Sequence, residues 1–128
     1  MTQEDKDLLL KDLCGRLPYE VEVYYSETVP ISTLKTINSE KGICIVYDHS
    51  QWYRHSKFHI EEIKPYLRPM SSMTEEEKID YQAFFNYDGV EYPEEYIDWL
   101  NAHHFDYRGL IEKGLAVEVT EENNPYKD

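Results

Sequence analysis

The spacing of apolar residues near the start of the chain predicts a helix. Within residues 3–14, Leu9 and Leu13 recur at the interval that places side chains on one face of a helix. Thr2 precedes this stretch and suits the N-cap position, because its hydroxyl can accept a bond from a free backbone N–H. Gly15 and the proline three residues later are typical of a helix end.

Four segments that follow carry the alternation or the β-branched content of strands. They are residues 20–25, 31–37, 43–47 and 57–63. The third is apolar throughout, which predicts a central strand. Because the connections between these segments are short, we expect an antiparallel meander.

The next segment, "KPYLRPMSSM" (64–73), contains two prolines four residues apart. Proline lacks a backbone N–H and is disfavoured in helix interiors and central strands, so we predict an ordered crossing segment that packs on the core. Thr74 and Glu77 then form a capping box that opens a helix over residues 75–86. The residues expected to face inward from this helix are Ile79, Ala83 and Phe84.

The last part of the chain predicts one more helix and a strand. Pro93 suits the first position of a helix, which continues through "EEYIDWLNAHH" (94–104). A short turn ends at Gly114, and residues 115–119 alternate like a strand that returns to the sheet. The polar residues 120–128 are predicted to be a disordered acidic tail.

These elements predict a single α+β domain over residues 1–119. It begins with the N-terminal helix, continues with an antiparallel sheet of three to five strands, and ends with a C-terminal helical segment and a closing strand. We expect helices to cover one face of the sheet. A chain of 128 residues can bury such a core without a metal or a disulfide.

The charge of the chain is strongly negative and unevenly spread. The net charge is −13, and 15 of the 26 acidic residues but only 5 of the 13 basic residues lie in residues 65–128. Such a surface repels a phosphate backbone, so direct nucleic-acid binding is not expected. The acidity either keeps the protein soluble or forms a surface for a basic partner, including one that normally binds nucleic acid.

Two regions are candidates for a binding surface. One is the loop "DHSQWYRH", in which aromatic residues alternate with cationic ones, although a solvated loop is the simpler interpretation. The other is the run of carboxylates between Thr74 and Asp98, which two helix starts explain only in part. The residues assigned to these surfaces are Trp52, Tyr53, Arg54, Glu91, Glu94, Glu95 and Asp98.

The string "NAHHFDYRGL" contains the weak catalytic candidates His103, His104 and Asp106, since a histidine oriented by a carboxylate is a common general base. Adjacent helical positions point about 100° apart, so the two histidines do not easily share a metal ion, and no metal site is assigned. We favour a structural interpretation of the string. In it, His103 lies beside Trp99, His104 continues the apolar stripe of Leu100, and Asp106 caps the next turn.

No sequence motif indicates a cofactor or a membrane span. The chain has only 5 glycines, with no glycine-rich phosphate loop and no GxSxG motif. No stretch approaches the roughly 20 apolar residues that cross a bilayer, and the N-terminus is acidic where a signal peptide is basic. We therefore expect a cytoplasmic protein in which Cys14 and Cys44 are reduced and buried.

Three strings, "DLLLKDLCGRLPY", "IKPYLRPMSSMTEEEK" and "DWLNAHHFDYRGLIEKGLA", resemble an uncharacterised family of small proteins from gut bacteria and their prophages or mobile elements. Residues 20–60 and the tail look much less like that family. The resemblance implies cytosolic expression and a mobile-element context, and it brings no activity, cofactor or catalytic residue.

The sequence therefore favours a non-catalytic accessory or regulatory module that binds a protein, which would be basic if the acidic surface takes part. Two alternatives stay open. The protein could imitate nucleic acid and inhibit a basic host enzyme, or it could be a small enzyme that depends on a histidine or a metal. The sequence leaves the oligomeric state open.

Overall fold

The fold is α+β, as predicted, in a computed structural model that describes residues 1–48, 55–86 and 88–126. The helices are α1 (Gln3–Arg16), α2 (Glu75–Gln82) and α3 (Pro93–Ala102). The strands are β1 (Glu22–Tyr24), β2 (Ser32–Asn38), β3 (Ile43–Asp48), β4 (His55–His59), β5 (Lys64–Leu67), β6 (Phe85–Asn86), β7 (Gly89–Val90) and β8 (Val117–Glu118).

Helix α1 begins at its predicted cap and runs past its predicted end. The Thr2 hydroxyl accepts a hydrogen bond from the Asp5 backbone N–H at 3.1 Å. Gly15 lies inside the helix, where a Cβ atom would be 3.3 Å from Nδ2 of Asn101 on α3. The glycine therefore allows close packing of α1 against α3, and the prediction that it ends the helix is wrong.

Six strands form one mixed sheet in the order β4-β3-β2-β1-β5-β8. Strands β1 to β4 form the predicted antiparallel meander, and β5 pairs antiparallel with β1. Strand β8 lies parallel to β5, because the helical layer separates them in the chain and lets the backbone return in the same direction. The sheet thus exceeds the predicted three to five strands and is not purely antiparallel.

Strand β5 contains Pro65, although the prolines predicted a crossing segment without a central strand. Strand β1 pairs with Lys64 and Pro65, whereas β8 pairs with Tyr66 and Leu67. Because each ladder covers only two residues of β5, the missing proline N–H removes little hydrogen bonding. Tyr66 and Leu67 are buried, so the segment packs on the core, as predicted.

Helix α2 begins at the predicted capping box. The Thr74 hydroxyl accepts from the Glu77 N–H at 3.1 Å, and the Glu77 carboxylate accepts from the Thr74 N–H at 2.9 Å. The helix ends at Gln82, earlier than predicted, because the chain turns there into the β6–β7 hairpin. Gly89 permits that hairpin, since its φ of 115° is accessible mainly to glycine.

The face that α2 turns inward also differs from the prediction. Phe84, just beyond the helix, is half-buried, whereas Ala83 is exposed and Ile79 is 69% exposed. The cause is an ion pair: the Arg68 guanidinium binds the Glu77 carboxylate through two hydrogen bonds of 2.8 and 2.6 Å. This pair turns the Glu77 face towards the protein and leaves Ile79 on the opposite side.

The hydrophobic core lies between α1 and the sheet. Its apolar side chains are Leu9, Leu13, Val21, Val23, Leu34, Cys44, Val46, Ile60, Ile63, Leu67, Leu110, Leu115 and Ala116. Burial raises the pKa of the Cys44 thiol to about 11, with proximity to Cys14 adding to the effect. Cys14 itself is exposed, contrary to the prediction, because charged side chains rather than this cysteine complete the buried stripe of α1.

Those charged side chains are Asp12 and Arg16, both fully buried. Arg16 Nε donates to Asp12 Oδ2 at 2.7 Å, and Arg16 Nη2 donates to the Phe105 carbonyl oxygen at 2.6 Å. Arg108 Nη1 donates to the second oxygen of Asp12 at 3.0 Å. One carboxylate therefore serves two guanidinium groups and, through Arg108, ties α1 to the segment after α3, 96 positions away along the chain.

Replacing Asp12 by alanine is expected to destabilise the fold by about 3–5 kcal/mol, because it leaves a buried guanidinium without its counter-charge. Urea unfolding measures the free energy. Asp7→Ala is the matched control, since Asp7 is an exposed carboxylate on the same helix and should change stability by less than about 0.5 kcal/mol. Equal effects of the two substitutions would show that the buried pair does not anchor the fold.

Candidate functional site

A cleft of about 620 Å³ opens between the end of α3 and the C-terminal segment. Both sequence-predicted histidines line it. The residues around it include Arg68, Ser72, His103, His104, Thr120, Glu121, Asn124 and Tyr126. Because both imidazoles line this cleft, their hydrogen-bond partners and burial there distinguish a catalytic role from a structural one.

His103 caps the C-terminal end of α3, as predicted for a structural histidine. Its Nδ1 atom lies 2.9 Å from the Trp99 carbonyl oxygen, and because a carbonyl only accepts, Nδ1 carries the proton. The imidazole also lies against the Trp99 ring, with ring centroids 4.4 Å apart. The bond satisfies one of the free carbonyls of the last turn and fixes the orientation of the ring.

His104 occupies a different position from the predicted one. The helix ends at Ala102, and His104 adopts a left-handed backbone with φ of 62°, so it does not continue the apolar stripe of Leu100. Its ring instead stacks on Tyr126, with centroids 3.6 Å apart and planes 8° from parallel. Its Nδ1 atom is buried and has no hydrogen-bond partner among the described residues.

The surroundings of His104 favour the neutral imidazole. Burial, together with the positive charge of Arg16 and the proximity of His103 and Arg68, lowers the pKa of His104 to about 4. A neutral ring stacked on an aromatic side chain suits a packing role. It is a weak general base at neutral pH, where catalysis favours a pKa near the working pH.

The stacking partner belongs to the segment predicted to be a disordered tail. In the structure, Tyr126 donates its hydroxyl to the Tyr66 carbonyl oxygen at 2.8 Å and accepts from the Glu22 N–H at 3.0 Å. Burial raises the pKa of Tyr126, so its hydroxyl stays protonated and can donate. Residues 120–126 thus differ from the predicted disorder, because the half-buried Tyr126 attaches them to β1 and β5.

Arg68 forms another side of the cleft and is already paired. Besides its two bonds to Glu77, its guanidinium lies 4.3 Å from the centroid of the Phe105 ring. The hydrogen bonds from Arg68 lower the pKa of Glu77 to about 2, and partial burial opposes that shift. Arg68 therefore connects β5, α2 and the segment after α3.

Asp106 caps the turn that follows α3, as the structural interpretation predicted. Its carboxylate oxygens accept from the backbone N–H groups of Leu110 at 2.9 Å and Ile111 at 3.0 Å. Within the described ranges, neither His103 nor His104 forms a hydrogen bond to a carboxylate. The three weak catalytic candidates are close in the chain but do not form an acid–base pair in this structure.

The carboxylates predicted to bind a partner lie in α3 or just before it in the chain. Glu91 follows the β6–β7 hairpin, Glu94 and Glu95 occupy the first turn of α3, and Asp98 lies one turn later. All four are exposed, and none forms an ion pair with another described residue. The three residues of the predicted loop surface, Trp52, Tyr53 and Arg54, lie outside the described residues.

The described part of the chain contains no group of three or more histidine, cysteine, aspartate or glutamate side chains arranged to hold a metal ion. None of its helices has both the length and the apolar character needed to cross a bilayer. Comparison with models of known protein families, with curated protein sequences and with solved structures gave no significant match.

The residues that build this region were only partly visible in the sequence. Arg68 and Tyr126 gave no local signal, because their partners are distant in the chain. Asp12 and Arg16 did give one: they lie three and seven positions after Leu9, on the apolar stripe of α1, with the spacing of a helical ion pair. A charged pair on an apolar stripe predicts a buried salt bridge.

The low pKa of His104 makes the fold sensitive to acid. In the unfolded chain this histidine titrates near its ordinary 6.5, so unfolding takes up a proton as the pH falls from about 6.5 to about 4, and stability decreases over that window. Between about pH 7 and about pH 5, we expect the free energy of unfolding of the wild type to fall by about 2 kcal/mol more than that of His104→Asn, which lacks the titrating group. Asparagine is the chosen replacement because it tolerates the left-handed backbone. Denaturant unfolding at the two pH values tests this, and parallel losses in both proteins would contradict it.

Proposed function

We propose that this protein is a non-catalytic module that binds a basic protein partner through the acidic surface of Glu91, Glu94, Glu95 and Asp98. The observation that supports the proposal most is that these four exposed carboxylates have no ion-pair partner among the described residues. Unpaired like charges in one place create a negative potential that attracts a basic surface.

Folding explains only part of this charge. Glu94 and Glu95 interact favourably with the positive end of α3, which is worth about 0.3–1 kcal/mol each on an exposed surface. Glu94 and Asp98, four positions apart on the same helix, repel each other by about 0.2–0.5 kcal/mol. No ion pair among the described residues offsets the repulsion that remains, as expected of a surface that binds a partner.

The cleft gives less support to the enzyme alternative. Its polar side chains bond mainly to the protein: the Ser72 hydroxyl donates to the Pro69 carbonyl at 2.7 Å, and the Thr120 hydroxyl donates to Asn123 Oδ1 at 2.8 Å. Arg68 is held by Glu77, and one nitrogen of His103 is held by a backbone carbonyl. Groups with these bonds are better suited to holding the C-terminal segment than to binding a substrate.

The setting we propose is the cytoplasm of a bacterial host, as the resemblance to mobile-element proteins implies. A partner there would be a host or phage protein with a basic surface. If that surface normally binds nucleic acid, the module would act as a competitor, and the same acidic residues would carry both roles.

Affinity capture from the native host, followed by mass spectrometry, identifies candidate partners, and association kinetics then test the proposal. We expect Glu94→Lys with Glu95→Lys to slow association about tenfold at about 0.1 M salt without unfolding the domain. The difference should shrink at about 1 M salt, where the Debye length falls from about 10 Å to about 3 Å.

The matched control is Glu27→Lys with Glu40→Lys, two exposed glutamates in the sheet half of the chain. This pair changes the net charge by the same amount on a different surface. If both double variants slow association equally, the total charge matters and not the α3 surface. If the association rate changes neither with salt nor in the double variant Glu94→Lys with Glu95→Lys, the acidic residues serve only to keep the protein soluble.

A further inference from the structure

We infer that the β6–β7 hairpin carries the apolar anchor of this interface, and that an amphipathic, basic segment of the partner packs on it. The anchor is called the hairpin face and is defined as Phe85 and Val90, which pair in the hairpin, together with Tyr92, which follows the hairpin in the chain. The inference rests on the proposed function, and it adds the surface that would hold a partner after charge has attracted it. Among the described residues these side chains are unusually exposed for their type, at 40%, 39% and 61%.

Neighbouring aromatic side chains hold the hairpin face in place. Phe85 and Val90 are directly opposite each other in the ladder, so their side chains lie on the same side of the ribbon. The Phe85 ring packs against Tyr81 at 5.0 Å and against Tyr96 at 5.5 Å between centroids. These contacts hold the ring in place, and a fixed aromatic surface loses little entropy when a partner binds.

Tyr92 supplies the second observation. It precedes α3 in a left-handed backbone with φ of 57°, a conformation that bulky residues disfavour, and its side chain forms no capping bond. Glycine or asparagine would adopt this backbone more easily. The fold therefore gains little from a tyrosine here, which is expected when an exposed ring serves a contact with another molecule.

Charge selects the kind of partner. Asp88, Glu91, Glu94 and Glu95 lie close to the residues of the hairpin face in sequence, and all four are exposed. A second copy of this protein would bring the same carboxylates against these, and nucleic acid would bring phosphates, so both are repelled. A segment that alternates apolar side chains with lysine or arginine satisfies the face and its acidic surroundings together.

The probes are three short synthetic peptides of equal length: one of lysine and leucine, one of lysine and serine, and one of glutamate and leucine. Backbone amide signals of the full chain, followed by NMR during titration, locate the binding. We expect the lysine–leucine peptide to shift the signals of Phe85, Val90 and Tyr92, with weaker binding of the lysine–serine peptide and no binding of the glutamate–leucine peptide.

Tyr92→Asn and Val90→Ser should each weaken binding of the lysine–leucine peptide about tenfold. The control Ile31→Ser removes an apolar residue that is 36% exposed elsewhere and should leave the affinity unchanged. Tyr92→Asn should also be at least as thermally stable as the wild type, because asparagine tolerates the left-handed backbone. A role of Tyr92 in folding alone would instead lower the melting temperature.

The outcomes separate the two proposals. If the lysine–leucine peptide shifts other residues, or binds both variants as it binds the wild type, the hairpin face is not the anchor. If the lysine–serine peptide binds equally well, charge alone holds the partner, and the inference fails while the proposed function stands. If the double variant Glu94→Lys with Glu95→Lys binds both lysine peptides as tightly as the wild type does, the acidic surface does not attract cations and the proposed function fails.

Discussion

The buried carboxylate of Asp12 is the constraint on which the rest of the structure depends. It lies on the apolar stripe of α1 and accepts from Arg16 and Arg108, while Arg16 also donates to the Phe105 carbonyl oxygen. Without this carboxylate, the buried Arg16 and the partly buried Arg108 would lack a counter-charge, and apolar packing could not offset the resulting loss of stability. This network therefore fixes where the segment after α3 lies, and with it the cleft and the C-terminal segment.

Arg68 and Tyr126 connect further elements of the fold to this network. Arg68 holds the capping glutamate of α2, which decides the face that α2 turns inward and carries the β6–β7 hairpin with it. Tyr126 stacks on His104 and bonds to the backbones of β1 and β5. Both side chains form hydrogen bonds to other parts of the protein. The histidines that most resembled chemistry in the sequence also contact the protein, His103 through the Trp99 carbonyl oxygen and His104 through the Tyr126 ring.

The segment from Phe85 to Asp98 contributes less to this network. The hairpin face and the carboxylates of Glu91, Glu94, Glu95 and Asp98, which belong to this segment, are all exposed. Apolar side chains next to unpaired charges of one sign are what an interface needs to combine attraction at long range with attachment at short range. The proposal of a basic partner follows from this arrangement rather than from the two histidines.

The sequence by itself determined the elements whose signals are local. The Thr2 cap, the Thr74–Glu77 capping box and the first three strands of the meander appear close to where they were predicted, because each depends on residues a few positions apart. The fourth strand was predicted over residues 57–63 but lies at His55–His59, and a short 3-10 helix, Ile60–Glu62, follows it. Only the tertiary structure decided the place of Pro65 in β5, the parallel pairing of β8 and the exposure of Ile79. These features depend on partners tens of residues away, and local spacing carries no information about which distant backbone or side chain will meet them.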